Sequence, residues 1–110
     1  MKCQIYFADE QVREAFVALK ASRDPGGRRL AGLLDQALDR IAANAFCGIQ
    51  VPKKLIPKDY HKKYGPLDNL WKYNLTRSWR LMYTVARDSD TIAVIIEWLD
   101  HTSYDRRFGY

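Results

Sequence analysis

The side chains best suited to chemistry in this chain are those of Lys72, Arg80, His101 and Tyr104. Arginine presents a planar fork of donors that can hold two phosphate oxygens at once. Histidine exchanges protons near neutral pH, and tyrosine or lysine can do so where a site shifts the side-chain pKa. Cleavage of an RNA strand needs a base for the 2′-hydroxyl proton, cations for the phosphorane and an acid for the leaving oxygen. These residue types therefore suit RNA cleavage, provided that the fold brings them together.

Metal and cofactor chemistry is not expected from this sequence. His61 and His101 are the only histidines, and neither has a second Cys or His at ligand spacing. Cys3 and Cys47 form no CxxC pair and no disulfide framework, so they are interpreted as free thiols of a reducing cytoplasm. No apolar run approaches the roughly 20 residues of a membrane span. We therefore expect a cytoplasmic protein without a metal, a cofactor or a membrane partner.

The positive charge of the chain is concentrated in one segment. The 110 residues carry a net charge of +5 at pH 7, and residues 51–80 hold eight Lys or Arg against two Asp or Glu. Residues 1–50 hold seven against six. Such a segment predicts a phosphate-binding surface, although a solvated basic face or a site for an acidic protein partner would have the same composition. The candidate RNA-binding residues are Lys53, Lys54, Lys58, Lys62, Lys63, Arg77, Arg106 and Arg107.

The helices and strands that must position these residues can be predicted from periodicity. A short strand, CQIYFA, precedes a helix capped by Asp9 and a second helix from about Leu30 to Ala45. The proline-rich stretch 49–69 is predicted to be a loop or an edge segment. Three strand-like runs follow: LWKYNL, SWRLMYTVA and TIAVIIEWL. The pattern predicts one α+β domain, 1–110, with two N-terminal helices packed on a small antiparallel sheet.

The register of the first predicted hairpin places polar residues on one face. Pairing Leu75 with Trp79 keeps the apolar side chains of the two strands on the same side of the sheet. The same pairing sets Asn74 opposite Arg80, with Lys72 two residues away on the same face. We therefore expect one face of the sheet to be apolar and covered by the helices, and the other to be polar near one end.

The second predicted hairpin brings the C-terminal tail to that polar end. Pairing Trp79 with Trp98 aligns the apolar faces and puts Glu97 beside Arg80, where its carboxylate would orient the guanidinium. The third strand then ends about one residue pair from Arg80. The tail DHTSYDRRFGY therefore starts at the polar patch.

Each of these residues also has a purely structural interpretation. Arg80 and Glu97 can form a surface ion pair of little energetic value, and Lys72 can be a solvated strand residue. His101 can cap the end of the sheet. The aromatic side chains of the tail can stack on bases if they are exposed, or pack the tail onto the core. These aromatic residues are Tyr104, Phe108 and Tyr110. The convergence of the polar residues on one end of one face favours the functional interpretation.

The order of elements and two stretches of sequence resemble a known family. Two N-terminal helices, a basic segment, the paired strands LWKYNLTRSWRLMYTV and a last apolar strand are similar to the RelE/ParE superfamily of type II toxin–antitoxin toxins. Residues 69–85 and the ending DHTSYDRRFGY most resemble a ParE-like branch of it. The resemblance implies the RelE-like microbial ribonuclease-type fold. In the RelE branch it also implies a metal-independent endoribonuclease that cuts mRNA in the ribosomal A site.

The resemblance implies a role for each candidate residue. The strand arginine of the family corresponds to Arg80, which would hold and stabilise the scissile phosphate. A strand lysine corresponds to Lys72, which would supply charge or act as a base. Asn74 stands where RelE-type members have a second lysine, so the identity of the general base stays open. His101, ahead of Tyr104, would take the acid or base role near the C-terminus.

Three functions remain open at this point. The first is an mRNA interferase that acts on mRNA and the ribosome and is held inactive by a cognate antitoxin. The second is a ParE-like toxin that inhibits DNA gyrase by protein binding; that branch lacks this catalytic set, so its presence here favours the ribonuclease. The third is a non-catalytic member that binds RNA or sequesters antitoxin. The resemblance further implies that acidic segments of the antitoxin meet the basic surface of residues 51–80.

Overall fold

The computed structural model describes residues 3–87 and 89–110, which form five strands and four α-helices. In chain order the elements are β1 (Gln4–Phe7), α1 (Glu10–Lys20), α2 (Pro25–Ala43), β2 (Ile49–Gln50), a 3₁₀ helix (Lys53–Leu55), α3 (Lys58–Tyr64), β3 (Trp71–Asn74), β4 (Trp79–Arg87), β5 (Thr91–Asp100) and α4 (His101–Phe108). The strands form one sheet in the order β1-β5-β4-β3-β2. β1 runs parallel to β5, and the other neighbours are antiparallel. The predicted α+β class is confirmed.

The two N-terminal helices begin at side-chain caps. The Asp9 carboxylate accepts a hydrogen bond from the Val12 backbone N–H at 2.9 Å, which confirms Asp9 as the cap of α1. The predicted start of α2 near Leu30 is wrong, because the helix begins five residues earlier. Asp24 caps it through the Gly27 N–H at 3.0 Å. Pro25 occupies the first helical position, where a missing N–H costs nothing.

One face of the sheet packs on α1 and α2, as the alternating pattern predicts. The residues at the centre of this first core are buried side chains of β4, β5 and the two helices. They include Phe16, Leu34, Ile41, Leu81, Tyr83 and Ile95. Burial of apolar surface at this scale is the main favourable contribution to folding.

The opposite face carries the polar residues expected near one end, and it also carries a second core that was not expected. Met82, Ile96 and Leu99 are 0%, 2% and 7% exposed beneath α3 and α4. Tyr60 of α3 and Tyr104 of α4 belong to the same cluster. The sheet is therefore a middle layer between two pairs of helices.

The stretch 49–69 is not a loop, although β2 does lie at the edge of the sheet. It contains β2, the 3₁₀ helix and α3. Its prolines lie between these short elements rather than inside them, so they end one element without breaking the next. Val51, Ile56 and Tyr60 are buried in the second core, and this burial holds the segment against the sheet.

The predicted register is confirmed for the first hairpin and wrong for the second. Asn74 pairs with Arg80 as expected. In the second hairpin, Trp79 lies opposite Asp100 rather than Trp98. The register shifts between Met82 and Tyr83, where a β-bulge leaves one extra residue in β5. The observed partner therefore differs from the predicted one by two residues at Trp79 and by one at Tyr83. A two-residue shift keeps the same side chains on each face, so pairing by apolar faces alone cannot detect it.

Candidate active site

Three of the predicted site residues meet at one aromatic ring. Tyr104 of α4 is only 6% exposed. The Lys72 Nζ lies 5.3 Å from the centroid of its ring, and the Arg80 guanidinium carbon lies 5.6 Å from it. Lys72 and Arg80 project from neighbouring strands on the same face, because Lys72 pairs with Met82, which lies two residues from Arg80 along β4. The structure thus gathers two cations and a phenol on the face covered by α4.

The position of Tyr104 depends on the junction between β5 and α4. α4 begins directly after β5, and Asp100 is both the last residue of the strand and the cap of the helix. Its carboxylate accepts a hydrogen bond from the Ser103 N–H at 2.7 Å. This bond lowers the pKa of the Asp100 carboxyl below its usual value, because it favours the charged form. The cap therefore places Tyr104 one turn into the helix, above the two cations.

Arg80 is anchored by the turn that joins β3 to β4. Its Nη1 donates to the carbonyl oxygens of Thr76 at 3.1 Å and Arg77 at 2.9 Å. These bonds use one nitrogen of a guanidinium that carries five N–H donors. The anchored nitrogen fixes the orientation of the group, and the fork keeps further donors for an anion.

His101 lies three residues before Tyr104, so the two residues are neighbours along one side of α4. Its side chain is 63% exposed, and its Nε2 lies 3.2 Å from Oδ2 of Asp105. An imidazole held by a carboxylate on one nitrogen is oriented for proton transfer at the other. Of the two candidates for the acid or base role, His101 is the one in open contact with solvent.

Glu97 does not orient Arg80, which corrects the sequence-based expectation. β5 places it opposite Met82, and its Oε2 accepts a hydrogen bond from Nη1 of Arg107 at 3.0 Å. Arg80 lies opposite Leu99 instead. The physical reason is the different register of the second hairpin.

Arg107 contacts protein on three sides, although it was predicted to bind RNA. It bonds Glu97 of β5, lies 4.0 Å from the Asp59 carboxylate of α3, and places its guanidinium 5.5 Å from the ring centroid of Tyr60. Burial, together with the neighbouring Glu97 carboxylate, raises the pKa of Tyr60 well above its usual range. Arg107 therefore joins α4 to α3 and to the sheet.

The remaining basic candidates are exposed. Five of them lie on the 3₁₀ helix and α3, which cover the same face of the sheet as α4. These are Lys53, Lys54, Lys58, Lys62 and Lys63. Arg77 is exposed in the turn between β3 and β4, and Arg106 is exposed on α4. Asn74 is also exposed, at the end of β3.

Two of the three tail aromatics pack onto the core, and the third is exposed. Tyr104 and Phe108 stack on each other with ring centroids 4.4 Å apart, and both pack in the second core. Tyr110 is 71% exposed. Since stacking on a base requires an open ring face, only Tyr110 among these three presents one to solvent without rearrangement of α4.

A feature that sequence reasoning missed is a cleft of about 500 Å³ between the start of α2 and the β3–β4 turn. Its walls include Arg29, Arg77 and Trp79. The adjacent arginines at positions 28 and 29 were a possible signal for it. The packing of α2 against the turn, which creates the cleft, could not be deduced from that signal.

Other kinds of site are not formed by the described residues. Within residues 3–87 and 89–110, no group of three His, Cys, Asp or Glu side chains is arranged to hold a metal ion. No helix in the same ranges has the length and hydropathy needed to cross a membrane.

Comparison with known proteins gives one informative likeness. No protein-family model and no curated protein matches the chain. Among solved structures, the chain is similar to a YoeB/ParE toxin from Agrobacterium tumefaciens. The two share 14% sequence identity, with 89% of this chain and 98% of that chain covered and a TM-score of 0.57. The chain therefore has the fold of a RelE/ParE superfamily toxin.

Proposed function

We propose that the chain is the toxin of a type II toxin–antitoxin system and acts as a ribosome-dependent mRNA endoribonuclease. The observation that carries this proposal is the meeting of Lys72, Arg80 and Tyr104 at one place. Two cations that lie 5.3 and 5.6 Å from the ring centroid of one tyrosine suit the charge that develops on a phosphate in the transition state. The fold of a RelE/ParE toxin supports the same function.

In the proposed reaction, a base removes the proton of a 2′-hydroxyl, whose oxygen attacks the adjacent phosphorus. The bond to the 5′ oxygen breaks, and an acid gives that oxygen a proton, so that a 2′,3′-cyclic phosphate and a 5′-hydroxyl form. Arg80 holds the phosphate oxygens, and Lys72 adds positive charge to the phosphorane. His101 moves the proton, because its imidazole is 63% exposed and already oriented by Asp105.

Tyr104 has a different task in this proposal. Its side chain is almost fully buried, and its ring lies against both cations. It holds Lys72 and Arg80 at the site, and it ranks second to His101 for proton transfer.

The exposed lysines of the 3₁₀ helix and α3 would bind the RNA backbone on the same side of the sheet. Acidic segments of an antitoxin would be attracted to the same surface. Binding of antitoxin and of RNA would then be mutually exclusive.

A second function has one observation in its favour. Arg80 donates to two carbonyl groups of its own turn, which is a structural role that needs no substrate. A toxin that inhibits DNA gyrase by protein binding would need no phosphate-binding cation at this position. For such a toxin, Arg80→Ala and His101→Ala would remain toxic, and changes on the exposed face of α1 would abolish toxicity.

The deciding experiment is translation-coupled cleavage of mRNA in cells that lack the antitoxin. Wild type, His101→Ala and Arg80→Lys are induced separately, and transcript 5′ ends are mapped by primer extension. Arg87→Ala is the matched control, since Arg87 is an exposed arginine at the other end of β4. We expect cuts in phase with codons for wild type and control, reduced at least tenfold in the other two.

The other outcomes identify the alternatives. Growth arrest with intact transcripts contradicts the ribonuclease and favours gyrase as the target. If the cells show no growth arrest and the transcripts show no cuts, the chain is a non-catalytic binding protein.

A further inference from the structure

The cleft between α2 and the β3–β4 turn has the composition of a nucleotide site. Its apolar walls include Leu30, Leu33 and Trp79, and Arg29 and Arg77 stand at its rim. Both arginines are exposed, and Trp79 is half-buried, so one part of its indole remains accessible. Pockets of about 300–1,000 Å³ hold small organic ligands, and this cleft has about 500 Å³.

The electrostatics of the cleft favour an anion. None of the described residues that line the cleft is acidic. Asp24, two residues before Gly26 of the cleft wall, accepts the Gly27 N–H as the helix cap. The cap partly satisfies that carboxylate, whereas Arg29 and Arg77 are exposed arginines of the cleft lining. Positive groups around an aromatic and aliphatic wall are the arrangement by which proteins bind single-stranded nucleic acid.

The cleft also adjoins the proposed site of cleavage. The carbonyl groups of Thr76 and Arg77 anchor Arg80, and the same two residues line the cleft. A strand whose phosphate lies at Arg80 therefore needs to cross only one turn to reach Trp79.

We propose that this cleft binds one nucleotide of single-stranded RNA, with the base against Trp79 and the phosphate between Arg29 and Arg77. The inference rests on the proposed function for the identity of the strand. An acidic peptide is the competing occupant, but it offers no planar group to the accessible part of the Trp79 indole, whereas every base has a planar face that can stack there.

The test measures binding of a fluorescent, single-stranded 2′-O-methyl hexanucleotide to the purified protein by anisotropy over a range of KCl concentrations. This RNA lacks the 2′-hydroxyl that cleavage needs, so binding is measured without reaction. The variants are Arg29→Ala and Arg77→Ala. Arg28→Ala is the control, since Arg28 is an exposed arginine of the same helix turn that does not line the cleft.

We expect each cleft variant to bind about tenfold more weakly than the control at low salt. The slope of log K against log[salt] should fall by about 0.7 for each phosphate contact removed. Wild type should show quenching of tryptophan fluorescence on binding, and Trp79→Phe should lose it. Trp98→Phe should keep the quenching, because Trp98 lies on β5 away from the cleft.

Three results would overturn the inference. One is the absence of RNA binding by wild type, and another is an equal loss of affinity in all three arginine variants, which would mean a general charge effect. The third is intact RNA affinity together with lost affinity for an acidic peptide, which would assign the cleft to a protein partner. Cleavage in cells is measured separately. The proposal of RNA binding in the cleft can therefore be contradicted while the proposed ribonuclease activity is supported, and the reverse.

Discussion

Arg107 donates a hydrogen bond from Nη1 to the Glu97 carboxylate at 3.0 Å, and this pair joins the last helix to the last strand. The two side chains are 32% and 24% exposed, so the pair is partly shielded from water. Removal of one member of such a pair costs more than it does on the open surface, because the other charge stays partly buried without a partner. The helix that carries Tyr104 is therefore attached to the sheet at its C-terminal end by this pair and at its N-terminal end by Asp100.

Removal of Arg107 should loosen α4. We expect Arg107→Ala to lower the free energy of unfolding by about 1–3 kcal/mol, because Glu97 loses its charged partner. Hydrogen exchange of the α4 amides should accelerate. Arg106→Ala removes the same charge from an exposed position of the helix and should change stability by less than about 0.5 kcal/mol. Equal effects in urea titrations of the two variants would contradict the role of Arg107.

The cap of α4 should titrate. The Ser103 N–H lowers the pKa of Asp100, so the cap stabilises the helix above pH 3.8 and this contribution is lost as the pH falls through the lowered value. Proton exchange of α4 amides, measured by NMR between pH 2 and 5 and corrected for intrinsic rates, should show this loss. Asp100→Asn keeps a capping side chain that does not titrate, so its α4 protection should be less dependent on pH. The same pH profile in both proteins would be inconsistent with the cap.

Tyr104 can be tested for proton transfer separately from packing. Tyr104→Phe keeps the ring that contacts Lys72 and Arg80, so fold and cleavage should both be retained, with the rate within about tenfold of wild type. Tyr104→Ala removes a buried aromatic side chain and should cost about 3–5 kcal/mol of stability. Single-turnover cleavage on programmed ribosomes gives the rates. A loss above a hundredfold in the phenylalanine variant would move the acid or base role from His101 to Tyr104.

Gly48 and Gly32 form a matched pair for stability. A Cβ at Gly48 would lie 2.7 Å from the Tyr83 hydroxyl oxygen and 2.8 Å from the Lys72 carbonyl oxygen. Gly48→Ala should therefore destabilise the fold by about 1–3 kcal/mol. A Cβ at Gly32 meets nothing within 4 Å, so Gly32→Ala within α2 should stabilise it by about 0.5–1 kcal/mol. Thermal unfolding of both variants checks the signs, and a stable Gly48→Ala would contradict the packing described.

The parts of the fold that sequence predicts are those with a strong local signal. The alternation of Trp71 and Tyr73 with polar residues predicts the first hairpin and its register, and this succeeds because the joining turn is short. The second hairpin fails because, at its Arg80 end, the observed pairing differs from the predicted one by two residues, and such a shift keeps every side chain on its face and leaves no signature in the apolar pattern. Glu97 therefore lies opposite Met82 rather than Arg80.

The second core was missed for a different reason. Several of its members come from short elements separated by prolines, and each of these elements is too short for its apolar residues to show a helical or strand periodicity. α3 has only seven residues. The gathering of Lys72 and Arg80 on one face could be predicted, because both lie on the first hairpin. Their contact with the ring of Tyr104 depends on how α4 packs, and tertiary packing decides that.

Because no loop separates β5 from α4, the strand and the helix move as one piece. Strand register becomes helix position: moving the chain by one residue advances the end of β5 by about 3.3 Å and turns its side chains to the other face. The bulge between Met82 and Tyr83 therefore works as a spacer that sets the helix in phase with the cations beneath it. An insertion or deletion in β5 would displace α4. The ring of Tyr104, several residues downstream, would then lose its contacts with Lys72 and Arg80.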